Sequence, residues 1–154
     1  MIQIRQAEMS DASAITDLYR QLVSPVAPDV QVDVTEDRIA EIRADPHNFL
    51  FVLQTDVGVC GTAFLTLCLD PMHRNQPYAL LENFVIDERQ RANGYGAALT
   101  RYIENFCLQA DCSKIMLLSN SNRSEAHAFF ERQGFSAEPK TGFVKYRSQL
   151  PRAS

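Results

Sequence analysis

Arg91-Ala92-Asn93-Gly94-Tyr95-Gly96 is the stretch of this chain whose residue types and spacing point most directly to chemistry. It lies between an apolar run, Ala79 to Asp87, and a periodic stretch, Ala97 to Ala110. That pattern reads as a strand, a glycine-rich turn and a helix start. Such a turn presents a row of backbone N–H groups at the positive end of a helix, where they can hold a pyrophosphate. Glycine at 94 and 96 lets the backbone approach phosphate closely and adopt φ values that other residues avoid. The plainer reading is an ordinary strand-to-helix turn, since a lone Gly-x-Gly is a weak signal. A Walker A loop needs Gly-x-x-x-x-Gly-Lys-Ser/Thr, which this chain lacks. A Rossmann turn needs a small residue three places after its second glycine, where Leu99 stands. It also needs an acidic residue at the end of the next strand, where Ser119 and Asn120 stand. Both departures count against NAD, as does the turn's place in mid-chain after a hairpin.

The elements that must position the turn are read from patterning. Ile2 to Gln6 alternates apolar and polar, which predicts a first strand. Ser10 and Asp11 are candidate caps for a helix with Ile15, Leu18, Tyr19 and Leu22 at helical spacing. Pro25 and Pro28 end that helix and open a loop through Val34. Thr35 can cap a short second helix whose apolar face includes Ile39 and Ile42, and Asp45-Pro46 stops it. Phe49 to Gln54 and Val59 to Leu69 are β-rich runs around Asp56-Val57-Gly58, a hairpin signal. A polar loop, Asp70 to Pro77, leads into a long apolar strand, Tyr78 to Asp87. Leu99, Tyr102, Ile103, Phe106 and Ala110 line one face of the helix after the glycine turn. Lys114 to Ser119 suits a strand covered on both faces. Asn122 and Glu125 have capping-box spacing for a helix that runs to about Gln133, with Gly134 as its C′ residue. Phe143 to Ser148 gives a last strand. The order β-α-α-β-β-β-α-β-α-β predicts a mixed sheet with helices on both faces.

The 154 residues suit a single domain, 1–154, with one core. A net charge of −4 argues against broad binding to a nucleic-acid backbone, although Arg89, Arg91, Arg101 and Arg123 form a local basic set. Met1 to Arg5 lacks a charged region followed by an apolar core, so no secretory signal is expected. No apolar run approaches the roughly 20 residues of a membrane span. The expectation is a cytoplasmic protein with neither a membrane nor a nucleic-acid partner. Cys60, Cys68, Cys107 and Cys112 include no Cys-x-x-Cys pair and no His at zinc-ligand spacing. Buried reduced thiols, and no metal, are expected.

Arg-x-x-Gly-x-Gly after a strand ending Glu82-Asn83-Phe84-Val85-Ile86-Asp87 resembles the acetyl-CoA signature of the GNAT family of N-acetyltransferases. A second block, Asn122 to Phe135, is similar to that family's later helix, which typically ends in Phe-Tyr-Glu-x-x-Gly-Phe. Here the block ends Phe129-Phe130-Glu131-Arg132-Gln133-Gly134-Phe135. Two blocks in the expected order and separation are more specific than either alone. The resemblance implies the GNAT fold, a mixed, mostly antiparallel sheet flanked by helices on both faces. It implies acetyl-CoA as co-substrate. The pantetheine arm would pair with Phe84, Val85 and Ile86 like an added strand. The pyrophosphate would lie beside Arg91, on the N–H groups of Ala92, Asn93, Gly94, Tyr95, Gly96 and Ala97. Arg123, with Asn122 next to it, falls where the later helix supplies a polar side chain near pantetheine; it could equally be a solvated helix-end charge.

The implied reaction is direct transfer of acetyl from the thioester to an amine. The amine arrives mostly as ammonium, so something must take its proton. Glu82, which interrupts an apolar strand, is the candidate base, directly or through a water. Alternation puts it on the face of Phe84 and Ile86, where partial desolvation would make it a stronger base. A strand carboxylate paired with a nearby Arg is the plainer alternative. The family's usual general acid, a Tyr that protonates the departing thiolate, falls at Phe130, which has no proton to give. Tyr146 on the last strand is the substitute candidate, against an ordinary strand aromatic; otherwise the thiolate leaves unassisted. His127 is read as structural and His73 as a solvated loop residue, while Tyr19 and Tyr78 either line the acceptor site or pack in the core. The expected acceptor is a small-molecule amine, because nothing here resembles a docking extension. A non-catalytic acyl-CoA-binding module, motivated by Phe130, is the alternative. A Rossmann-type nucleotide binder is a further one, disfavoured by Leu99. Dimers are common in the family, which allows a homodimer.

Overall fold

Asp56 and Val57 turn one strand back on the next, and a sheet is built outward from that hairpin. A computed structural model describes residues 1–152, in two units, Met1–Leu117 and Leu118 onward. The first unit contains β1 (Gln3–Gln6), α1 (Ala12–Val23), α2 (Glu36–Ala44), β2 (Asn48–Thr55), β3 (Gly58–Cys68), β4 (Tyr78–Ile86), α3 (Tyr95–Gln109) and β5 (Ile115–Leu117). The spatial order is β1-β2-β3-β4-β5. The first four strands are antiparallel neighbours, and β5 runs parallel to β4. This is the mixed, mostly antiparallel sheet that the patterning predicts, with α1 and α2 on one face and α3 on the other.

Both faces of β2 are covered, which is why it reads as a continuous apolar run rather than an alternation. Phe51 and Leu53 point into a core with Leu65, Leu81, Leu99 and Ile103, against α3. Leu50 and Val52 point into a second core with Ile15 of α1 and Ile39 of α2. On the α3 side the rings of Phe49, Phe51, Tyr102 and Phe106 meet edge to face at 4.6 to 5.3 Å. Such pairs each add about 0.5–1.5 kcal/mol beyond their buried area.

The ends of these helices follow from short-range chemistry. Thr35 Oγ1 accepts the Arg38 N–H at 3.1 Å, as a cap should. Ahead of α1, buried Asp11 is bound by Arg5 at 2.7 Å and accepts the Glu8 N–H at 2.7 Å, so it fastens the chain before the helix to β1. The α3 helix stops at Asp111, a non-glycine residue at φ 60. There the Cys112 N–H reaches the Cys107 carbonyl at 2.9 Å and the Asp111 N–H reaches that of Leu108 at 3.1 Å, a Schellman ending. All four thiols are free. Cys60 and Cys107 are buried, and burial beside Cys112 pushes Cys107 up to about 12.

The second unit is built on α4 (Ser124–Arg132). Gly134, at φ 94, is its C′ residue, as expected. The Phe135 N–H bonds to the Phe130 carbonyl and that of Gly134 to Glu131, both at 3.0 Å, and the Phe130 and Phe135 rings meet at 5.8 Å. The Asn122–Glu125 capping box is not formed. Asn120 competes for the entrance: its side chain accepts the Asn122 N–H and its carbonyl the Arg123 N–H, each at 3.0 Å. The strand expected over 143–148 is also not formed. Tyr146 keeps an extended backbone and is followed by a 3-10 turn, Arg147–Gln149. Phe143, Val144 and Tyr146 are exposed. β-rich composition gives extended backbone, but a strand needs a ladder partner, and none pairs with this segment among the described residues. Among those residues, no helix is long and apolar enough to cross a membrane.

Candidate active site

The glycine turn is held in place from both sides. Asp87, buried at the end of β4, caps the 3-10 turn Glu88–Gln90 by accepting the Arg89 N–H at 3.0 Å. The Arg89 guanidinium closes back on both Asp87 oxygens at 3.1 and 2.8 Å. Gln21 of α1 donates to Asp87 at 3.4 Å and accepts the Glu88 N–H at 3.0 Å. The Arg89 hydrogen bond, set against desolvation, holds the Asp87 carboxyl down at about 2. Further along, Arg91 Nε donates to the Ile86 carbonyl and Asn93 to that of Gln90. Ala92 at φ 64 and Gly94 at φ 78 bend the chain into α3. Gly94 is the N-cap, in the left-handed region where a side chain would be strained. The first-turn amides of Tyr95, Gly96 and Ala97 precede the amide that closes the helix, Ala98 N–H to the Gly94 carbonyl at 3.0 Å.

The second feature is a bulge in β4. Phe64 faces Glu82, but Thr62 faces Val85, so Asn83 and Phe84 together stand opposite Ala63. Asn83 sits at φ 53, a conformation Asn tolerates better than most residues. The extra residue breaks the alternation. Ala79 and Leu81 lie in the α3 core, and so do Phe84 and Ile86. Glu82 is therefore not on the face of Phe84 and Ile86, as unbroken alternation would have it. It pairs with Phe64, which packs on the α1–α2 side. It is exposed there rather than partly desolvated.

On that side a cleft of about 780 Å³ opens between the end of α1, residues 31–35, α2 and the sheet. Its floor includes Leu50, Phe64 and Asn83, and its walls include Tyr19, Leu22 and Ile42. Tyr19 and Asn83 both line it, and burial pushes the Tyr19 phenol up to about 12. The charged groups in the lining are Asp33, Glu41, Asp45 and Arg38, and Arg38 is already paired to Glu41 at 2.8 Å. The lining is thus net acidic. The His47 N–H at 2.7 Å keeps the Asp45 carboxyl below its ordinary value.

A model of the acetyltransferase (GNAT) family matches residues 13–135. The chain belongs to the GNAT family. YhfO, an uncharacterised N-acetyltransferase of Bacillus subtilis (strain 168), is 26% identical over 153 residues, covering 97% of this chain and 99% of that protein. A putative acetyltransferase from Agrobacterium tumefaciens matches with a TM-score of 0.82 at 30% identity, over 94% of this chain and 99% of the other. The glucosamine-6-phosphate N-acetyltransferase of Arabidopsis thaliana shares the fold, with a TM-score of 0.78 at 22% identity over 96% and 99% of the two chains.

The residues that the GNAT resemblance singles out fall into three groups. Arg91, Ala92, Asn93 and Gly94 are exposed in the turn, and Tyr95, Gly96 and Ala97 open α3. Phe84, buried Val85 and Ile86 follow the bulge, beyond the last rung of the β4–β5 ladder, Leu81 with Leu117. Asn122, half-buried Arg123, Phe130 and Tyr146 belong to the second unit. Tyr146 is 70% exposed and on no strand. His127 Nε2 lies 2.9 Å from the Asn120 carbonyl, and His73 is exposed in its loop. Of the two tyrosines, Tyr19 lines the cleft, whereas Tyr78 lies under the Lys114 ammonium at 5.2 Å. Two features escaped the sequence reading. Asn83 was signalled by the apolar spacing 79, 81, 84, 86, whose odd step marks the bulge. The Gln21–Asp87 contact spans 66 residues and leaves no local signal.

Proposed function

We propose that this chain transfers acetyl from acetyl-CoA to the amine of a small molecule. GNAT proteins bind acetyl-CoA, and the observation that carries the reading here is the order of parts along β4. Asn83 lines the cleft and Glu82 precedes it on the same side of the sheet, residues 84–86 extend past the β5 ladder, and the phosphate turn follows at once. One strand therefore runs from acceptor to pantetheine to pyrophosphate. The turn holds the pyrophosphate on the amides of residues 92–97, beside Arg91, and the backbone of Phe84 to Ile86 takes the pantetheine arm as an added strand. A cleft of this size fits a metabolite-sized ligand, and its acidic lining attracts an ammonium.

The ammonium first gives one proton to Glu82, directly or through water. The freed lone pair then attacks the thioester carbon, the C–N bond forms and the C–S bond breaks. The nitrogen sheds its second proton, and the thiolate gains one. Phe130 takes no part in that last step, so the thiolate is protonated from the nitrogen or from solvent. The test is thiol release from acetyl-CoA with a panel of primary amines. Glu82→Gln should lower kcat/KM by about 10²-fold or more with CoA affinity unchanged. Wild-type rates in Glu82→Gln would remove it as the base.

A second reading, acyl-CoA binding without turnover, is favoured by one observation. Phe130 is built into the ending of α4 against Phe135. Acetyl-CoA binding with no thiol release for any amine would support it.

A further inference from the structure

Gln21 joins two parts of the molecule that the chemistry above keeps apart. It sits near the end of α1, between Tyr19 and the Leu22–Val23 pair that line the cleft. Its side chain reaches the 3-10 turn Glu88–Gln90, which leads into the phosphate turn. There Oε1 accepts the Glu88 N–H at 3.0 Å, and Nε2 donates to Asp87 Oδ1 at a longer 3.4 Å. Asp87 in turn holds both the N–H and the guanidinium of Arg89. Apolar packing fastens the end of α1 only weakly. The buried residues of the helix are Ile15, Thr16 and Leu18, all ahead of its last turn, whereas Leu22 and Val23 are half-buried on the open cleft. A helix end with few buried contacts opens locally at low cost. A side chain there that bonds a backbone N–H of another element orders the helix end and aims that element at the same time.

Resting on the acetyltransferase reading above, we infer that Gln21 is a positioning residue that makes the two binding sites interdependent: CoA held on the turn stiffens the α1 wall of the cleft through the Gln21–Glu88 bond. Phosphates bound on residues 92–97 take freedom from residues 87–90 just before them, and Gln21 then accepts from a fixed donor. The last turn of α1 is ordered with it, and Leu22 and Val23 with that turn. Coupling of this kind is reciprocal, so the same bond contributes to CoA affinity. It needs no movement of the sheet, only a loosely packed helix end and a turn that share one hydrogen bond.

The experiment measures CoA affinity by calorimetric titration, and backbone amide exchange over residues 20–23 with and without saturating CoA. It compares wild type with Gln21→Met, which keeps the length of the side chain and loses its hydrogen bonds. Glu88→Pro removes the same bond from the other side. Proline has no N–H and suits the first position after a cap, and Asp87, at ψ 126, already has a ψ that a residue before proline prefers. Glu88→Ala, which loses the charge and keeps the N–H, is its control. Either variant alone decides the matter should the other fail to fold. CoA should slow exchange over 20–23 in wild type and Glu88→Ala, and leave it unchanged in Gln21→Met and Glu88→Pro. The Kd for CoA should rise about 2- to 12-fold in those two variants, the range for one lost hydrogen bond. Slowing equal to wild type in the variants overturns the coupling. So does faster exchange over 20–23 with an unchanged Kd, which is what a purely structural role would give. A wild type that binds CoA with no slowing over 20–23 overturns the inference and leaves the acetyltransferase reading standing. A wild type that binds no CoA overturns the cofactor reading, and this inference with it.

Discussion

Gly96→Glu should separate the phosphate cradle from the fold that carries it. Gly96 is the second residue of α3, and its carbonyl accepts the Thr100 hydroxyl at 2.9 Å. Replacing a helical glycine relieves about 0.5–1 kcal/mol of backbone entropy. A carboxylate in the first turn of a helix adds about 0.3–1 kcal/mol, and α3 has no acidic residue there. The variant should therefore be as stable as wild type, or about 1 kcal/mol more stable. The same carboxylate stands where the pyrophosphate is proposed to bind. Two unit charges about 6 Å apart at an effective dielectric of about 40 repel by about 1.4 kcal/mol. A pyrophosphate presents two such charges, so the penalty is about 2.8 kcal/mol, or about 100-fold in Kd. Calorimetric titration with CoA, run beside urea unfolding, measures both quantities. Gly96→Ala adds bulk without charge and should fall between the two. Raising the salt concentration should narrow the gap, since exposed charges are screened. Equal CoA affinity in wild type and a folded Gly96→Glu would refute the cradle. An affinity loss that merely tracks a stability loss would refute the separation worked out here.

Asp87 makes a pH-dependent contribution. Its folded value, about 2, lies below the ordinary 3.8, so the stabilisation is present above pH 4 and lost as pH falls through about 2. Because Arg89 is 78% exposed, solvent screening reduces that contribution to about 1–2 kcal/mol. Asp87→Asn should flatten the stability profile between pH 4 and 2 by that amount in urea unfolding, and a profile that falls as steeply as wild type would exclude it. Gly134→Ala forces a side chain into φ 94 with nothing within 4 Å of the new Cβ. Its cost is backbone strain alone, about 1–2 kcal/mol, and Gly134→Asn should recover part of it in the same assay.

The sequence was most legible where structure is decided locally. Asp56-Val57-Gly58 makes the hairpin, Thr35 caps α2, Gly134 ends α4, and the glycine turn sits between strand and helix as its composition requires. The failures have a common cause, which is competition that local patterning does not report. Asn122 has capping spacing, but Asn120, two residues earlier, takes the hydrogen bonds at the entrance. The run 143–148 has strand composition and lacks a ladder partner. The face of Glu82 is not legible locally, because Leu80 and Val85 are also apolar and hide the odd step from 81 to 84. The cleft itself draws residues from α1, a loop, α2 and three strands, so no window of sequence contains it.

The bulge explains how one strand can serve two sides of the sheet. With unbroken alternation after Glu82, Phe84 and Ile86 would turn into the cleft, and Asp87 would turn into the α3 core as a buried, unpaired carboxylate. Such a charge is costly without a partner. One extra residue at Asn83 keeps Phe84 and Ile86 against Leu81 and Leu99. It also turns Asp87 toward Gln21. The same insertion leaves Glu82 on the cleft side, directly beside Asn83, which lines the cleft with Tyr19. The packing of the α3 core and the placement of the proposed base are thus consequences of a single backbone irregularity. A change that removed the bulge would disturb both together, whereas Asn83→Gly, which preserves the left-handed backbone, should disturb only the cleft. That difference is what makes the role of the carboxamide separable from the role of the bend.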